Sequence, residues 1–333
     1  MAKGDKRTRS RHIHWHAFDE ALSMPAEEME IWIGGDKEVL IAGFVLNPRM
    51  LRGSDFLMRW SQGVWSEERL VEAVNSTERY YALPYGPSGT APEDDPQEYE
   101  RYFDRLEKAG LGGLKRPDLL IYRAEHAQYA REIVADIGGE QELPFVPEDD
   151  DRMRALLARA IIAVECENSL WQCENMPCFG TELKPMKRLG GKLGLAKNAV
   201  LPTIIIKQQD RGPLNAWQAD TGVPIHIWHV FFDLAYGIAL DQAEKLIAET
   251  LISPEDYTYY APGGATTKKT IYKIYYQYGY LLAKATATPD MVAEKIIDKN
   301  GHVLPFVRFE GGRIELTAQA LEMLATIPNR GEE

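Results

Sequence analysis

The sequence predicts an α/β protein. Apolar, β-branched runs at 160–169, 201–207 and 223–232 have the length and composition of buried strands. A fourth strand is expected at 119–122, and amphipathic helical patterns lie between or after these runs. Strands that alternate with helices are typical of α/β architecture. The composition, 45% hydrophobic and 26% charged over 333 residues, is sufficient for one large core or for two domains.

The composition also argues against several classes of protein. No run of 18 apolar residues exists, so a membrane span is not expected. The basic start of the chain has no apolar segment after it, which argues against a secretory signal. Cys166, Cys173 and Cys178 are an odd number of cysteines in one region, which fits a reducing cytoplasm better than a disulfide framework. Cys173 and Cys178 could bind a metal, but no second cysteine pair accompanies them.

The first part of the chain contains one clear helical pattern. His12, His14 and His16 alternate in HIHWH and could bind zinc from one face of a strand, but we favour a solvated basic segment. Ser66 resembles an N-cap, and an amphipathic helix is predicted over 67–75.

The following segment leads towards the run at 160–169. The Pro- and Gly-rich residues 81–96 predict a loop, and 97–109 has a helical pattern. Pro117 can begin a strand but cannot lie inside its hydrogen-bonded ladder, so Asp118 is expected at the mouth of the strand 119–122. Two more helices are predicted before the next strand, at 125–136 and 151–160.

The C-terminal part is predicted to contain an amphipathic helix over 233–251. From residue 253 the sequence becomes rich in tyrosine and lysine, and it closes with a β-like stretch, a Gly-Gly turn and a helix over 315–326. We therefore divide the chain into a core, residues 1–255, which includes the basic N-terminal segment, and a C-terminal region, residues 256–333, packed on the core as one unit.

Two carboxylates at the end of the strand 160–169 are the first sign of chemistry. The two-residue period of a strand places Glu165 and Glu167 on one face, and Val164 and Cys166 on the other. Buried carboxylates are costly unless they are compensated, and Mg²⁺ prefers such hard oxygen ligands. The alternative is that both glutamates lie at an exposed strand end.

Asp118 is a candidate third carboxylate because it precedes an apolar strand. The chain contains a second Pro-Asp pair, Pro289-Asp290, but the residues after it have a helical pattern. Asp290 is therefore interpreted as a helix cap.

Asp118 after Pro117, followed on a later strand by Glu165 and Glu167, resembles the PD-(D/E)xK nuclease superfamily and, within it, the type II restriction endonucleases. The similarity covers roughly residues 60–250, and Glu167 stands where lysine is usual in that family. It implies a restriction-endonuclease-like core, with a central mixed β-sheet flanked by helices and a C-terminal extension.

The resemblance also implies roles for individual residues. Asp118, Glu165 and Glu167 would be catalytic, and Mg²⁺ would be held by Asp118, Glu165 and the backbone carbonyl of Cys166. Glu67 or Glu68 would be an auxiliary ligand from the first helix of the core. Lys207 follows a strand and could replace the missing lysine. His226 and His229 are interpreted as core histidines with satisfied hydrogen bonds.

The distribution of charge favours a polyanionic partner although the net charge is −12. Residues 184–211 contain seven basic residues and one acid, and 257–289 contain four lysines and no acid. The alternative is that the tyrosines of the second segment are core and its lysines a solvated face. The predicted DNA contacts are Lys184, Lys187, Arg188, Lys192, Thr266, Thr267, Lys268, Lys269 and Lys273.

Together these features predict a Mg²⁺-dependent, sequence-specific endonuclease of restriction type that cuts double-stranded DNA. A homodimer is expected, since a two-fold protein matches a palindromic site. The alternatives are a repair or transposon-type nuclease, a DNA-binding module without catalysis, and a hydrolase of small phosphoesters.

Overall fold

The computed structural model describes residues 23–25, 45–46, 53–91, 96–260, 266–298 and 300–329. The strands are β1 (Met24–Pro25), β2 (Val45–Leu46), β3 (Tyr80–Pro84), β4 (Leu119–Arg123), β5 (Ile162–Asn168), β6 (Lys184–Pro185), β7 (Leu193–Gly194), β8 (Thr203–Lys207), β9 (Ile225–Val230), β10 (Leu234–Ala239), β11 (Pro254–Tyr260), β12 (Thr266–Tyr275), β13 (Tyr280–Ile297) and β14 (Val303–Leu316). The α-helices are α1 (Ser54–Asn75), α2 (Pro96–Lys108), α3 (Ala127–Ile137), α4 (Asp151–Ala158), α5 (Gln208–Thr221), α6 (Leu240–Ala248) and α7 (Ala318–Thr326). The predicted histidine segment with His12, His14 and His16 lies outside the described residues.

A seven-stranded mixed sheet organises the fold. Its strand order is β14-β13-β10-β9-β5-β4-β3. Neighbouring strands are antiparallel except for β5 and β9, which are parallel. Helices flank this sheet, so the predicted α/β class is confirmed, and so are the strands expected at 119–122, 160–169, 201–207 and 223–232.

A second sheet lies against the first. It has three antiparallel strands in the order β11-β12-β8. Strand β8 also contacts the large sheet, because the Ile205 N–H donates to His229 Nδ1 at 3.4 Å. This contact brings the end of β8 close to the ends of β5 and β9.

Apolar cores cover both faces of the large sheet. On β4 and β5, Leu120 and Ala163 belong to one core, whereas Ile121 and Val164 belong to the other. The first core includes side chains of α3, α4, α5 and α6, and the second includes side chains of α1 and α7. The central strands are therefore buried on both faces, which explains their almost continuous apolar sequences.

Some predicted elements are wrong. The helix predicted over 233–251 is strand β10 followed by α6, because a short apolar run buried on both faces has no period that separates helix from strand. Ser66 lies inside α1 rather than at its start, and Asp290 lies in β13, opposite Glu310, rather than at a helix cap. The segment 81–96, predicted as a loop, begins as β3.

The C-terminal residues belong to both sheets. Strand β12 pairs with β8, and β13 pairs with β10, so hydrogen bonds join residues on either side of position 255. The predicted Gly-Gly turn at 311–312 lies within β14, where both glycines have positive φ angles. Among the described residues, no helix is long and apolar enough to cross a membrane.

Candidate active site

Antiparallel pairing brings the start of β4 to the end of β5. Leu119 is opposite Val164, and the Asp118 N–H donates to the Val164 carbonyl at 2.8 Å. Asp118 and Glu165 are therefore adjacent in space although 46 residues separate them in the chain. The residues between them fold as β4, α3, α4 and two short 3₁₀ segments, and lead into β5.

The Asp118 carboxylate is held by two hydrogen bonds. Its Oδ2 accepts from the Cys166 N–H at 2.7 Å, and its Oδ1 accepts from Ser88 Oγ at 3.1 Å. The loop that carries Ser88 approaches the backbone closely. A Cβ atom at Gly86 would lie 2.6 Å from the Pro117 carbonyl oxygen, so glycine is required there.

Three carboxylates form an acid cluster, which we define as Glu165, Glu167 and Asp210. One oxygen from each lies within 4.8 Å of the others. Glu165 is only 4% exposed, so the alternative of an exposed strand end is wrong for this residue. Its Oε2 atom is buried and has no hydrogen-bond partner in the described part of the chain. A buried carboxylate oxygen without a donor is the feature expected of a cation ligand.

Two lysines contact the acid cluster from different elements. Lys115 Nζ lies 2.5 Å from Glu165 Oε1, and Lys207 Nζ lies 2.6 Å from Glu167 Oε1. Lys207 ends β8 and Asp210 lies in the first turn of α5, so one strand-to-helix junction supplies both a cation and a carboxylate.

Burial shifts the pKa values of this site. Burial and the charge of Asp118 raise the pKa of Glu165 to about 8, because they outweigh the opposing effect of Lys115. Burial also raises the pKa of Glu167, against the opposing charge of Lys207. Burial alone would lower the pKa of Lys115, but the charges of Glu165 and Asp118 leave it above its ordinary value. Negative charge therefore dominates the site.

The remaining predicted ligands differ in their positions. Glu67 is half-buried, whereas Glu68 is exposed. The pKa of the Cys166 thiol is raised first by burial, then by the charge of Asp118 and then by the charge of Glu67, so Glu67 lies near Cys166. Glu67 is thus the closer of the two to the predicted metal site. The Cys166 side chain packs against the second core, as expected for the opposite face of β5.

Sequence reasoning missed Lys115, Asp210 and Ser88. Lys115 precedes the Arg-Pro-Asp segment by one residue, and Asp210 follows Lys207 by three, so both were close in sequence to predicted residues. Neither spacing shows that the side chain lies beside Glu165 or Glu167, because that depends on how β4 pairs with β5 and how β8 packs against β9. Ser88 had no signal other than its place in a Pro- and Gly-rich loop.

The two basic segments meet beside the acid cluster. A cleft of about 970 Å³ is lined by Arg188 and Lys197 from one segment and by Lys273 from the other. Lys184, Lys187, Arg188 and Lys192 are exposed, and Lys268 on β12 is also exposed. The prediction that the tyrosines are partly core also has support, because Tyr272 packs in the first core.

The two histidines of β9 have different surroundings. His226 Nδ1 lies 2.9 Å from the Tyr280 hydroxyl, as expected for a core histidine with a partner. His229 Nε2 is buried without a partner among the described residues, so the prediction of a satisfied histidine is wrong here. Burial and nearby Lys207 lower the pKa of His229 to about 3. Cys173 and Cys178 are free thiols, and Cys173 is buried.

Comparisons with protein-family models, with curated proteins and with solved structures give no match.

Proposed function

We propose that this protein is a Mg²⁺-dependent endonuclease that cuts double-stranded DNA at specific sequences, as type II restriction enzymes of the PD-(D/E)xK superfamily do. The observation that carries the proposal is the acid cluster, in which a buried Glu165 oxygen lacks a donor among the described residues and Asp118 lies close by. The sequence order of these acids, one before β4 and two at the end of β5, is the order in that superfamily.

The residues fit a divalent cation. Glu165, Glu167 and Asp210 offer hard oxygen atoms within 4.8 Å of one another, and Mg²⁺ takes such ligands. Asp118 and the Cys166 carbonyl are the further ligands predicted from the sequence. Bound there, Mg²⁺ would lower the pKa of a water molecule and neutralise charge at the phosphate.

The two lysines supply positive charge at the same place. Lys207 contacts Glu167, the position where the superfamily usually has lysine, so its ammonium group can take over the missing function from another strand. That function is to orient the attacking water and stabilise charge that develops on the phosphate oxygens. Asp118 accepts from the Cys166 N–H, between Glu165 and Glu167, and from Ser88 Oγ, so its carboxylate is fixed beside the acids of β5.

DNA binding is assigned to the basic segments around the cleft. The exposed basic side chains at 184–197 and on β12 would contact phosphates, and we propose a homodimer on a palindromic duplex. Lys268→Ala with Lys269→Ala is expected to weaken binding in gel shifts and to reduce its salt dependence. Unchanged affinity and an unchanged salt slope would remove β12 from the interface. The free thiols of all three cysteines suit a cytoplasmic location.

The function is tested by incubating the protein with plasmid and Mg²⁺, and separately with EDTA. Discrete fragments that require Mg²⁺ support a sequence-specific endonuclease, whereas a smear indicates a non-specific or repair-type nuclease. Asp118→Asn and Glu165→Gln should abolish cleavage and leave DNA binding intact, and Glu167→Ala should impair cleavage severely. DNA binding without cleavage by the wild type would indicate a non-catalytic module.

A further inference from the structure

The cleft lies next to the acid cluster along strands β8 and β5. Thr203 and Ile205 line the cleft, and Lys207, the next residue on that face of β8, contacts Glu167. Ser169, which also lines the cleft, lies two residues after Glu167. A strand that is cut at the acid cluster would therefore pass directly into the cleft.

The wall of the cleft contains an unpaired hydrogen-bond donor. His229 lies opposite Glu167 in the register of β9 and β5, and it is 1% exposed. Its Nδ1 accepts from the Ile205 N–H, so the ring proton is on Nε2, which has no acceptor among the described residues. An unsatisfied buried donor costs about 1–3 kcal/mol, which indicates that a bound group supplies the acceptor.

Other residues of the cleft combine positive charge with aromatic surface. Arg188 and Lys197 are exposed cations, and Lys273 adds a third, paired with Glu255 at 3.4 Å. Trp171 is 37% exposed at the same cleft, which is unusual for so large an apolar side chain. Cations that bind a backbone beside aromatic rings that stack on bases are typical of sites for unpaired nucleic acid.

We propose that the cleft binds an unpaired segment of the DNA strand next to the cleaved phosphodiester, with one base stacked on Trp171 and accepting a hydrogen bond from His229 Nε2. This inference rests on the proposed nuclease function. A base inside a duplex has both faces stacked, so it must leave the helix to occupy the cleft. The ligand is therefore a single-stranded or extruded nucleotide.

The test measures the affinity for a labelled single-stranded oligonucleotide of mixed sequence, and for the same oligonucleotide annealed to its complement, by fluorescence anisotropy in Ca²⁺. His229→Phe keeps an aromatic ring but removes the Nε2 donor, together with the long Nδ1 contact to the Ile205 N–H, and should weaken single-strand binding by about tenfold, the effect of one lost hydrogen bond to the ligand. His229→Gln, whose amide nitrogen can replace Nε2, should retain most of that binding.

His226→Phe is the matched control. It makes the same change on the same strand, at a histidine whose partner is Tyr280 and which does not line the cleft. It should leave single-strand affinity within about twofold of the wild type. Trp171→Ala should weaken single-strand binding by about tenfold, because base stacking on an aromatic side chain is lost. Thermal unfolding curves establish that each variant is folded.

Equal single-strand affinities for the wild type, His229→Phe and Trp171→Ala would overturn the inference, and so would equal losses in His229→Phe and His226→Phe. The outcome is separate from that of the plasmid assay. If the wild type cleaves plasmid but His229→Phe keeps the wild-type affinity for single-stranded DNA, only the proposal about the cleft is rejected. If His229→Phe loses affinity for single-stranded DNA but the wild type does not cleave plasmid, only the nuclease function is rejected.

Discussion

Lys115 and Arg116 are consecutive in the chain, yet their side chains enter two contrasting regions. Arg116 is 2% exposed, and its guanidinium donates to Glu148 at 2.6 Å and to the carbonyls of Leu143 and Val146 at 2.8 and 2.7 Å. Trp217 Nε1 also donates to Glu148, at 3.1 Å. In this region the charge of Arg116 is balanced by that of Glu148, and the donors of Arg116 and Trp217 meet carboxylate or carbonyl acceptors.

The acid cluster lacks that balance. Lys115 contacts Glu165, but Asp118 and Glu167 add negative charge and Glu165 Oε2 has no donor in the described structure. The pKa of Glu165 rises to about 8, whereas the charge and hydrogen bonds of Arg116 overcome the effect of burial and lower the pKa of Glu148. Balanced buried charge indicates a structural role, and excess negative charge indicates a site that a cation completes.

The cleavage rate should show the largest difference between substitutions in the two regions. Glu165→Gln is expected to reduce the cleavage rate by at least about 10³-fold, equivalent to about 4 kcal/mol of transition-state stabilisation. Glu148→Gln is the matched control, and its cleavage rate should stay within about threefold of the wild-type rate. Single-turnover assays below the unfolding temperature of each variant measure both rates. A similar loss in both variants would mean that the effect of Glu165→Gln is structural.

The free energy of unfolding should respond in the reverse order, with the larger loss at Arg116 and the smaller loss at Lys115. Arg116→Met leaves the half-buried Glu148 without its cation and the carbonyls of Leu143 and Val146 without this donor, and is expected to lower the free energy of unfolding by about 3–5 kcal/mol. Lys115→Met should lower it by about 1 kcal/mol or less, because the raised pKa of Glu165 allows this carboxyl group to take up a proton when its cation is removed. Urea denaturation at pH 7 measures both, and a larger loss in Lys115→Met would contradict the comparison.

The pH dependence should differ in sign between the two regions. The folded-state pKa of Glu165 is above its unfolded value, so the folded state holds an extra proton and loses stability as pH rises. The stability of Glu165→Gln relative to wild type should therefore increase from pH 5 to 8, by on the order of 1 kcal/mol per pH unit, in urea titrations.

For Glu148 the folded-state pKa is lowered, so its contribution is present above its unfolded pKa and is lost as the solution becomes more acidic. The stability difference between wild type and Glu148→Gln should shrink below about pH 4. A Glu165→Gln difference that does not change between pH 5 and 8 would show that Glu165 is ionised throughout.

The smallest expected effect is on thermal stability in Mg²⁺. Saturating Mg²⁺ should raise the melting temperature of the wild type by about 1–5 °C, because a ligand of the folded state stabilises it. Glu148→Gln should keep that shift and Glu165→Gln should lose it. Differential scanning calorimetry with and without EDTA measures the shift, and its persistence in Glu165→Gln would place the cation elsewhere.

Much of this fold can be predicted from the sequence. The strands at 119–122 and 160–169 are recognisable because their apolar and β-branched residues are buried on both faces. The placement of Glu165 and Glu167 on one face follows from the strand period, and the expected position of Asp118 follows from Pro117. Local composition was insufficient at 233–251, where the apolar strand β10 leads directly into the amphipathic helix α6 and its short apolar run fits either element.

Only the tertiary structure brings together residues that are distant in the chain. Lys115 and Lys207 contact the acid cluster, and Asp210 belongs to it, because β4 runs antiparallel to β5 and because β8, from a different sheet, packs against β9 beside β5. His229 Nε2, which has no partner in the described ranges of the chain, likewise depends on which backbone N–H its other ring nitrogen contacts. A sequence determines which groups are charged or apolar, but pairing and burial decide which of them are left without partners, and those are the groups that can bind a ligand.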